Sequence, residues 1–199
     1  MRKINEIFLS IQGEGCRSGV PSVFIRFSGC NLSCWFCDTQ HESGEYMTDE
    51  EIIEEVGKYN ARQIVLTGGE PSLHIDEEFV KRLKNATNLE IAIETNGTKE
   101  LPAGIDWVTV SPKIGLQGQR DAAIRVKHAD ELKVVDIGQS LEEYFSLGCV
   151  GPETAMLLQP CFVENEEERI RNTRRTIGRV LSDPRWRLSL QTHRFMGIR

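Results

Sequence analysis

Six short apolar runs recur along the chain, and their order constrains the fold more than any other feature of the sequence. Most are rich in β-branched residues and end at polar or glycine residues, which is typical of buried strands. The runs are SVFIRF (22–27), QIVLT (63–67), LEIAIE (89–94), WVTV (107–110), ELKVV (131–135) and AMLLQ (155–159). Two more, INEIFLSI (4–11) and WRLSLQT (186–192), are candidates for additional strands, although the first is also compatible with an irregular entry segment.

Amphipathic helical segments lie between the first three of these runs. TDEEIIEEVGKYN places Thr48 and Glu51 at capping-box spacing, and DEEFVKRLKNA begins at a capping residue, Asp76. Strands that alternate with helices predict a parallel sheet with right-handed crossovers. Only a dozen residues separate LEIAIE from WVTV, so we expect no helix there. The sequence therefore predicts an α/β fold, an incomplete, abbreviated (β/α) barrel with about six parallel core strands instead of the complete eightfold barrel.

The bulk properties limit the domain count and the partners. A chain of 199 residues that is 39% hydrophobic can bury one substantial core, so we predict a single domain over residues 1–199. The sequence lacks a long apolar run and a signal peptide, which predicts a cytoplasmic protein without a membrane partner. A net charge of −6 argues against a nucleic-acid partner and favours a small-molecule substrate.

Polar and glycine-rich segments follow the strand runs closely. They read SGC, TGGEP, ETNG, SPK, LQP and QTH. In a parallel barrel the carboxyl ends of the strands form one rim, and active sites are built there. The sequence therefore predicts that these segments converge on one site.

Three cysteines, Cys30, Cys34 and Cys37, lie within FIRFSGCNLSCWFCDTQH (24–41) at C-x3-C-x2-C spacing. In a reducing compartment such a group is typical of metal binding or redox chemistry. The spacing leaves two kinds of site open. His41 would complete a Cys3His zinc loop. Alternatively, the thiolates hold an iron–sulfur cube in which one iron lacks a protein ligand and is open to a cofactor.

Two other features receive a purely structural interpretation. The charged segment ENEEERIRNTRRTIGR (164–179) places acidic residues before basic ones, which suits the dipole of a capped helix with a solvated face. The scattered cysteines, Cys16, Cys149 and Cys161, are predicted to be small buried residues.

The neighbourhood of the cysteine triad resembles the radical S-adenosylmethionine superfamily, in which such a triad binds a [4Fe–4S] cluster. TGGEP (67–71) resembles the glycine-rich strand end of that superfamily, where the backbone must approach a ligand without a Cβ in the way. A longer series of motifs resembles, in the same order, the 7-carboxy-7-deazaguanine synthase family. These motifs are IQGEG, FIRFSGCNLSCWFCDT, TGGEP, ETNGT, SPK, ELKVV, LQP and the ending LSLQTHRFMGIR.

The resemblance implies a lyase that converts 6-carboxy-5,6,7,8-tetrahydropterin to 7-carboxy-7-deazaguanine by ring contraction with loss of ammonia. This reaction belongs to the 7-deazapurine pathway that leads to queuosine. The implied cofactors are a [4Fe–4S] cluster, S-adenosyl-L-methionine and Mg²⁺. The implied partners are the pterin, a reducing protein such as a flavodoxin and a second copy of the chain in a homodimer.

The resemblance also assigns site residues. Cys30, Cys34 and Cys37 match the cluster ligands and Thr39 the magnesium ligand, although Asp38 and Thr39 are also common in turns. The S-adenosylmethionine residues are Phe36, Cys37, Asp38, Gly69, Ser111, Pro112, Lys113 and Gln159. The pterin residues are Ile11, Gln12, Gly13, Arg26, Thr67 and Arg199. The layout places His193 near the pterin, but we assign it no proton transfer.

Arg26 is the residue whose role is most open. It lies inside the apolar run FIRF, where an unpaired guanidinium would be costly. A substrate carboxylate would provide a bidentate partner. The alternative is an internal ion pair with Glu14 or Glu70.

Two alternative functions also remain open. A glycyl-radical-activating enzyme shares the triad and the GGEP segment, although IQGEG, CDT and the C-terminal motif argue against it. A zinc-stabilised binding module without catalysis would use the triad with His41.

Overall fold

The computed structural model describes residues 1–115 and 122–199. A mixed sheet of nine strands dominates this part of the chain. The strands are β1 (Arg2–Ile11), β2 (Pro21–Phe27), β3 (Glu45–Met47), β4 (Gln63–Gly68), β5 (Glu90–Thr95), β6 (Trp107–Val110), β7 (Glu131–Asp136), β8 (Ala155–Pro160) and β9 (Arg187–Leu188). Their order in the sheet is β3-β1-β2-β4-β5-β6-β7-β8-β9.

The sheet is parallel from β2 onwards and has an antiparallel edge. Strands β2, β4, β5, β6, β7, β8 and β9 pair in parallel, whereas β1 pairs antiparallel with both β2 and β3. Because β9 has only two residues, six parallel strands form the core, as predicted. Within the described residues the edge strands β3 and β9 do not pair with each other, so the barrel is open. The predicted incomplete barrel is confirmed, and both candidate end runs contribute strands.

Four α-helices occur in the described ranges: α1 (Asp49–Gly57), α2 (Glu77–Thr87), α3 (Glu166–Ser182) and α4 (Thr192–Met196). Short 3-10 helices lie at Pro71–Leu73 and Glu142–Ser146. The predicted caps are present, since Thr48 and Glu51 form a capping box on α1 and Asp76 accepts from the Phe79 N–H on α2. No helix connects β5 to β6, as expected from the short connection. None of these helices is long and apolar enough to cross a membrane.

The hydrophobic core fixes the strands that carry the site. Helices α1 and α2 turn Ile52, Val56, Phe79, Val80 and Leu83 towards the sheet, and all five are buried. They belong to one hydrophobic cluster with buried apolar side chains of β2, β4 and β5. Because such a core is close-packed, the carboxyl ends of these strands are held in fixed positions.

Helix α3 confirms the predicted capped helix with a solvated outer face, and it adds an inner side that the sequence did not indicate. Its inner side buries two polar residues, Asn172 and Thr176. Thr176 Oγ1 donates to the buried Asp136 carboxylate at 2.8 Å, and Arg179 NH1 lies 2.6 Å from the same carboxylate. The helix is therefore anchored to the end of β7 by polar contacts, which a pattern based on apolar residues cannot reveal.

The scattered cysteines divide into two groups. Cys149 and Cys161 are buried, as predicted. Cys16 is exposed, so the prediction was wrong for this residue. Cys16 lies in the loop after β1, where its backbone N–H, and not its thiol, reaches inward to Glu131 Oε2 at 2.7 Å.

Candidate active site

A cavity of about 590 Å³ opens at the carboxyl ends of the parallel strands. Its wall includes Thr67 from β4, Glu94 from β5, Gln159 from β8 and Ser111 just after β6. A volume of this size is within the usual range for small-molecule sites. The polar segments that follow the strands therefore converge on one cavity, as the sequence predicts.

The structure brings nearly all predicted site residues to this wall. The lining includes Ile11, Gln12, Gly13, Arg26, Cys30, Cys34, Phe36, Cys37, Asp38, Thr39, Thr67, Gly69, Ser111, Lys113, Gln159 and Arg199. Pro112 is the exception, since it is buried beside Ser111 and does not line the cavity. What each residue binds stays a prediction.

The cysteine loop follows β2 directly and is held by the ETNGT motif. Asn96 Nδ2 donates to Asn31 Oδ1 at 3.0 Å, and Asn31 Nδ2 donates to Thr98 Oγ1 at 2.8 Å. Asn96 Nδ2 also lies 4.0 Å from Cys30 Sγ, and the Leu32 N–H donates to the same sulfur at 3.4 Å. The motif at the end of β5 therefore positions the first part of the loop.

The three thiols have the chemistry that an iron–sulfur cluster requires. All three are free, and all three lie on the cavity wall. Burial raises the pKa of the Cys30 and Cys34 thiols, so both are neutral until a metal replaces their protons. Two donors already point at the Cys30 sulfur, and such hydrogen bonds tune iron–sulfur clusters. The residues therefore fit the cluster.

His41 was the candidate for a fourth ligand in a zinc loop. Its backbone carbonyl accepts from the Gly29 N–H at 2.7 Å, which closes the base of the cysteine loop. Its ring Nδ1 is buried and has no hydrogen-bond partner. Within residues 1–115 and 122–199, no three side chains of His, Cys, Asp or Glu are grouped as ligands of a single ion.

Gly69 permits a close contact between two backbone segments. A Cβ at this position would lie 2.0 Å from the carbonyl oxygen of Gly29 and 3.1 Å from the Cys30 nitrogen. The next residue, Glu70, donates its N–H to the same Gly29 carbonyl at 2.9 Å. The sequence suggested that this glycine makes room for a ligand. The structure shows that it also makes room for the start of the cysteine loop.

Lys113 lies on the cavity wall with its ammonium held by Ser111. Its Nζ donates to the Ser111 carbonyl at 2.6 Å and to Ser111 Oγ at 2.7 Å. Burial lowers the pKa of Lys113, and Cys34 opposes this change when it is a thiolate. A cation in this position suits a carboxylate ligand beside the thiols.

Arg26 pairs with Glu6, not with Glu14 or Glu70 as the alternative interpretation supposed. The two residues face each other across the antiparallel pair β1–β2, and Arg26 Nε lies 2.8 Å from Glu6 Oε1. Glu6 also contacts the guanidinium of the terminal Arg199. Glu70 is instead fully buried and accepts from Thr95 Oγ1 at 2.6 Å. Arg26 is nonetheless one of the residues that line the cavity.

The magnesium candidate lies beside an ion pair. Asp38 Oδ2 accepts from Arg194 NH2 at 2.7 Å and from Gln191 Nε2 at 2.9 Å. The Thr39 hydroxyl lies 3.4 Å from the other oxygen of Asp38. Asp38 therefore joins the cysteine loop to the C-terminal segment, a role beyond the predicted contact with the cofactor.

The sequence interpretation missed a charged cluster on the same wall. Lys133 Nζ lies 2.6 Å from Glu14 Oε2 and 2.5 Å from Glu94 Oε2. Gln12 Nε2 donates to Glu94 at 3.0 Å, and Gln12 Oε1 accepts from the Glu14 N–H at 3.1 Å. The side chain of Gln12 thus makes one hydrogen bond within the protein at each end. A charged residue within an apolar strand run, as in LEIAIE and ELKVV, was the available signal.

His193 packs directly against Gly13. A Cβ on Gly13 would lie 2.3 Å from the Nδ1 atom of His193, so the glycine lets the histidine approach. Thr192 donates its N–H to the Gly13 carbonyl at 2.9 Å. The segment around β1 and the C-terminal helix therefore meet at one side of the cavity, where His193 is part of the wall.

An open parallel barrel with a C-x3-C-x2-C loop beside a glycine-rich strand end defines the class of radical S-adenosylmethionine enzymes. The model of the Radical SAM superfamily matches residues 24–144, more than half of the chain. The protein therefore belongs to a class of enzymes that use a [4Fe–4S] cluster and S-adenosylmethionine.

Full-length relatives identify the family within this superfamily. A 7-carboxy-7-deazaguanine synthase from Bacteroides thetaiotaomicron is 52% identical over 199 residues and covers 100% of both chains. One from Nitratidesulfovibrio vulgaris is 38% identical, with 98% of each chain covered. The crystal structure of QueE from Escherichia coli matches with a TM-score of 0.75 at 30% identity, covering 96% of this chain and 94% of that one. The chain belongs to the 7-carboxy-7-deazaguanine synthase family.

Proposed function

We propose that this protein converts 6-carboxy-5,6,7,8-tetrahydropterin to 7-carboxy-7-deazaguanine in 7-deazapurine biosynthesis. The observation that carries the proposal is that the cysteine loop and Arg26 line one cavity. The loop alone suits any member of the superfamily. A guanidinium in the same cavity suits a substrate that bears a carboxylate. The name shared by the full-length relatives supports the same reaction.

The rim residues have distinct tasks in this proposal. Cys30, Cys34 and Cys37 hold the cluster. When bound, the cluster and S-adenosylmethionine supply a carbon radical that removes a hydrogen atom from the substrate. The protein must then position the reactants and exclude competing reactions. The residues proposed to hold S-adenosylmethionine are Phe36, Asp38, Gly69, Ser111, Lys113 and Gln159, with Pro112 fixing the backbone between two of them.

The part of the cavity wall around Arg26 receives the pterin. Arg26 binds the substrate carboxylate, and Glu6 holds the guanidinium in place at 2.8 Å until the substrate arrives. Glu14 and Glu94 offer carboxylate oxygens to the N–H groups of the pterin ring. Ile11, Gly13, Thr67 and Arg199 complete this wall, whereas Gln12 acts by orienting Glu94.

Several further features belong to the same proposal. The Thr39 hydroxyl contributes to a Mg²⁺ site, because this ion prefers oxygen ligands and keeps part of its water shell. A reducing protein such as a flavodoxin supplies the electron. We also propose a single catalytic domain over residues 1–199, a homodimer, and a cytoplasmic location, where free thiols stay reduced.

The test is incubation of the anaerobically reconstituted full-length protein with reductant, S-adenosylmethionine and the carboxytetrahydropterin, followed by mass analysis. The proposal predicts 7-carboxy-7-deazaguanine, together with 5′-deoxyadenosine. Cleavage of S-adenosylmethionine without any change in the pterin would contradict the substrate. A glycyl radical on an added protein acceptor would favour the activating-enzyme alternative.

A further inference from the structure

A buried ammonium lies between two carboxylates on the cavity wall. Lys133 lies in the middle of β7, and its side chain is only 4% exposed. Its Nζ atom lies 2.6 Å from Glu14 and 2.5 Å from Glu94. These carboxylates come from the loop after β1 and from β5, so one side chain joins three separate segments of the barrel.

A hydrogen-bond network extends from this ammonium in both directions. Glu94 accepts from Gln12 Nε2 at 3.0 Å, and Glu14 accepts from Gln191 Nε2 at 2.8 Å. Gln191 Nε2 also lies 2.9 Å from Asp38 Oδ2, next to the last cysteine of the loop. The network therefore runs from the proposed pterin wall to the proposed cofactor wall.

The carboxylates keep acceptor capacity towards the cavity. Each oxygen of an ionised carboxylate can accept about two hydrogen bonds. Each of the four oxygens of Glu14 and Glu94 accepts one bond within the protein. Both residues line the cavity, so the remaining capacity is available to a donor in a ligand.

Two neighbouring, largely buried carboxylates without a cation would not both stay ionised. Burial acts to raise the pKa of Glu14, but Lys133 and hydrogen bonds from Lys133 and Gln191 hold this pKa at about 2. Burial raises the pKa of Glu94 even with Lys133 beside it. Glu94 is therefore the member of the pair that takes up a proton first on acidification.

Other ionisable groups around the cluster come from several elements. They are Arg26 on β2, Asp38 in the cysteine loop, Lys113 after β6, Glu131 on β7, and His193 and Arg194 on α4. None of them makes a direct hydrogen bond to either carboxylate within the described residues. Lys133 is thus the cation in contact with both.

We propose that Lys133 is a positioning residue of this site, which holds Glu14 and Glu94 as a pair of acceptors for the N–H groups of a pterin-like ring. This role deepens the proposed function and rests on it. A merely structural ion pair would leave ligand binding independent of how the pair titrates. A positioning role couples the affinity for the ring to the protonation of the pair.

The experiment measures binding of pterin-6-carboxylate to the reconstituted holoenzyme as a function of pH, and KM and kcat for the tetrahydropterin in parallel. In the wild type, affinity falls on the acid side as Glu94 takes up a proton. In Lys133→Met this acid limb moves towards alkaline pH by about 1–3 units, the usual effect of losing a nearby opposite charge. Affinity at neutral pH falls at least ~10-fold, and KM changes more than kcat.

Two further variants and a control complete the design. Lys133→Arg keeps a positive charge beside the carboxylates and should restore the acid limb to within about half a unit of the wild type. Glu94→Gln should abolish the acid limb. This variant provides the test of the proposal if Lys133→Met fails to fold. Lys84→Met removes a lysine from a surface pair with Asp106, away from the cavity, and should leave the limb unchanged.

The possible failures are distinguishable. A wild type that binds no pterin at any pH overturns both the proposed function and the role of Lys133. A wild type that binds, with a limb that stays in place in Lys133→Met or in Glu94→Gln, overturns the positioning role alone.

Discussion

Asp38 in the cysteine loop and Arg194 in the last helix form an ion pair at 2.7 Å. Arg194 also lies over the ring of Phe162, with 3.7 Å from its central carbon to the ring centroid. The C-terminal segment is thereby attached to the loop that carries the three thiols. Residues more than 150 positions apart in the chain thus form one wall of the cavity.

Arg194→Ala should loosen this segment. A partly exposed ion pair and a cation–π contact contribute about 1–2 kcal/mol together. Amide hydrogen exchange should therefore become roughly tenfold faster at Thr192 and Ile198, whose N–H groups bond to Gly13 and His193. Arg185→Ala, which removes a surface pair with Glu142, is the control. Unchanged exchange at both positions would show that Arg194 does not hold the segment.

Gly69→Ala should impair cluster loading. The new Cβ would meet the Gly29 carbonyl at 2.0 Å, and backbone cannot yield as a flexible side chain does. The start of the cysteine loop must then shift, so iron content after reconstitution should fall. The matched control is Gly178→Ala within α3, where a Cβ meets nothing within 4 Å. That change should raise the free energy of unfolding by about 0.5–1 kcal/mol. Full iron content in Gly69→Ala would contradict the steric argument.

Arg26→Ala should discriminate between ligands. If Arg26 binds the substrate carboxylate, affinity for pterin-6-carboxylate should fall by a few kcal/mol, whereas affinity for unsubstituted pterin should change little. Glu6→Gln should strengthen binding of the carboxylated ligand, because the competing partner at 2.8 Å loses its charge. Fluorescence titration with both ligands measures the difference. An equal loss for the two pterins would assign Arg26 to the structure of the wall.

Asp136 should make the stability of the protein depend on acid pH. Burial acts to raise its pKa, but hydrogen bonds from Thr176 and Gly138 and the charges of Arg179 and Arg175 lower it. A lowered folded-state pKa contributes stability above the unfolded pKa, and this is lost as pH falls through the folded one. Asp136→Asn should cost about 1–3 kcal/mol at pH 7.

The loss in Asp136→Asn should shrink as pH falls below about 4, where Asp136 of the unfolded chain takes up a proton, and should be smallest below the lower pKa of the folded state. Denaturant unfolding of both proteins at several pH values measures this convergence. A difference that is constant over the whole pH range would show that packing, not charge, explains the effect.

The sequence predicted the features that local patterns determine. The strand runs, the capping box at Thr48 and the short connection before β6 each depend on neighbouring residues, and all were confirmed. The convergence of the polar segments on one site followed from one topological rule, because the carboxyl ends of parallel strands lie at the same edge of the sheet. Motif order then identified the family.

The missed features depend on register and on distant contacts. The pairing of Arg26 with Glu6 follows from the antiparallel register of β1 against β2, which the apolar pattern does not fix for an edge strand. The polar inner side of α3 exists because Asp136 lies opposite Thr176. Lys133 binds two carboxylates, of which Glu14 lies 119 positions away in the chain. Local patterns cannot show such encounters.

The most direct test of the iron–sulfur assignment is the metal content of the full-length chain, reconstituted without oxygen beside four variants. The wild type should be brown and contain about four irons and four sulfides per chain. Each of Cys30→Ala, Cys34→Ala and Cys37→Ala should lose most of this content and remain folded, whereas Cys16→Ala, outside the cavity wall, should keep it. A colourless wild type with one zinc per chain, or cavity variants that load iron as fully as the wild type, would contradict the assignment.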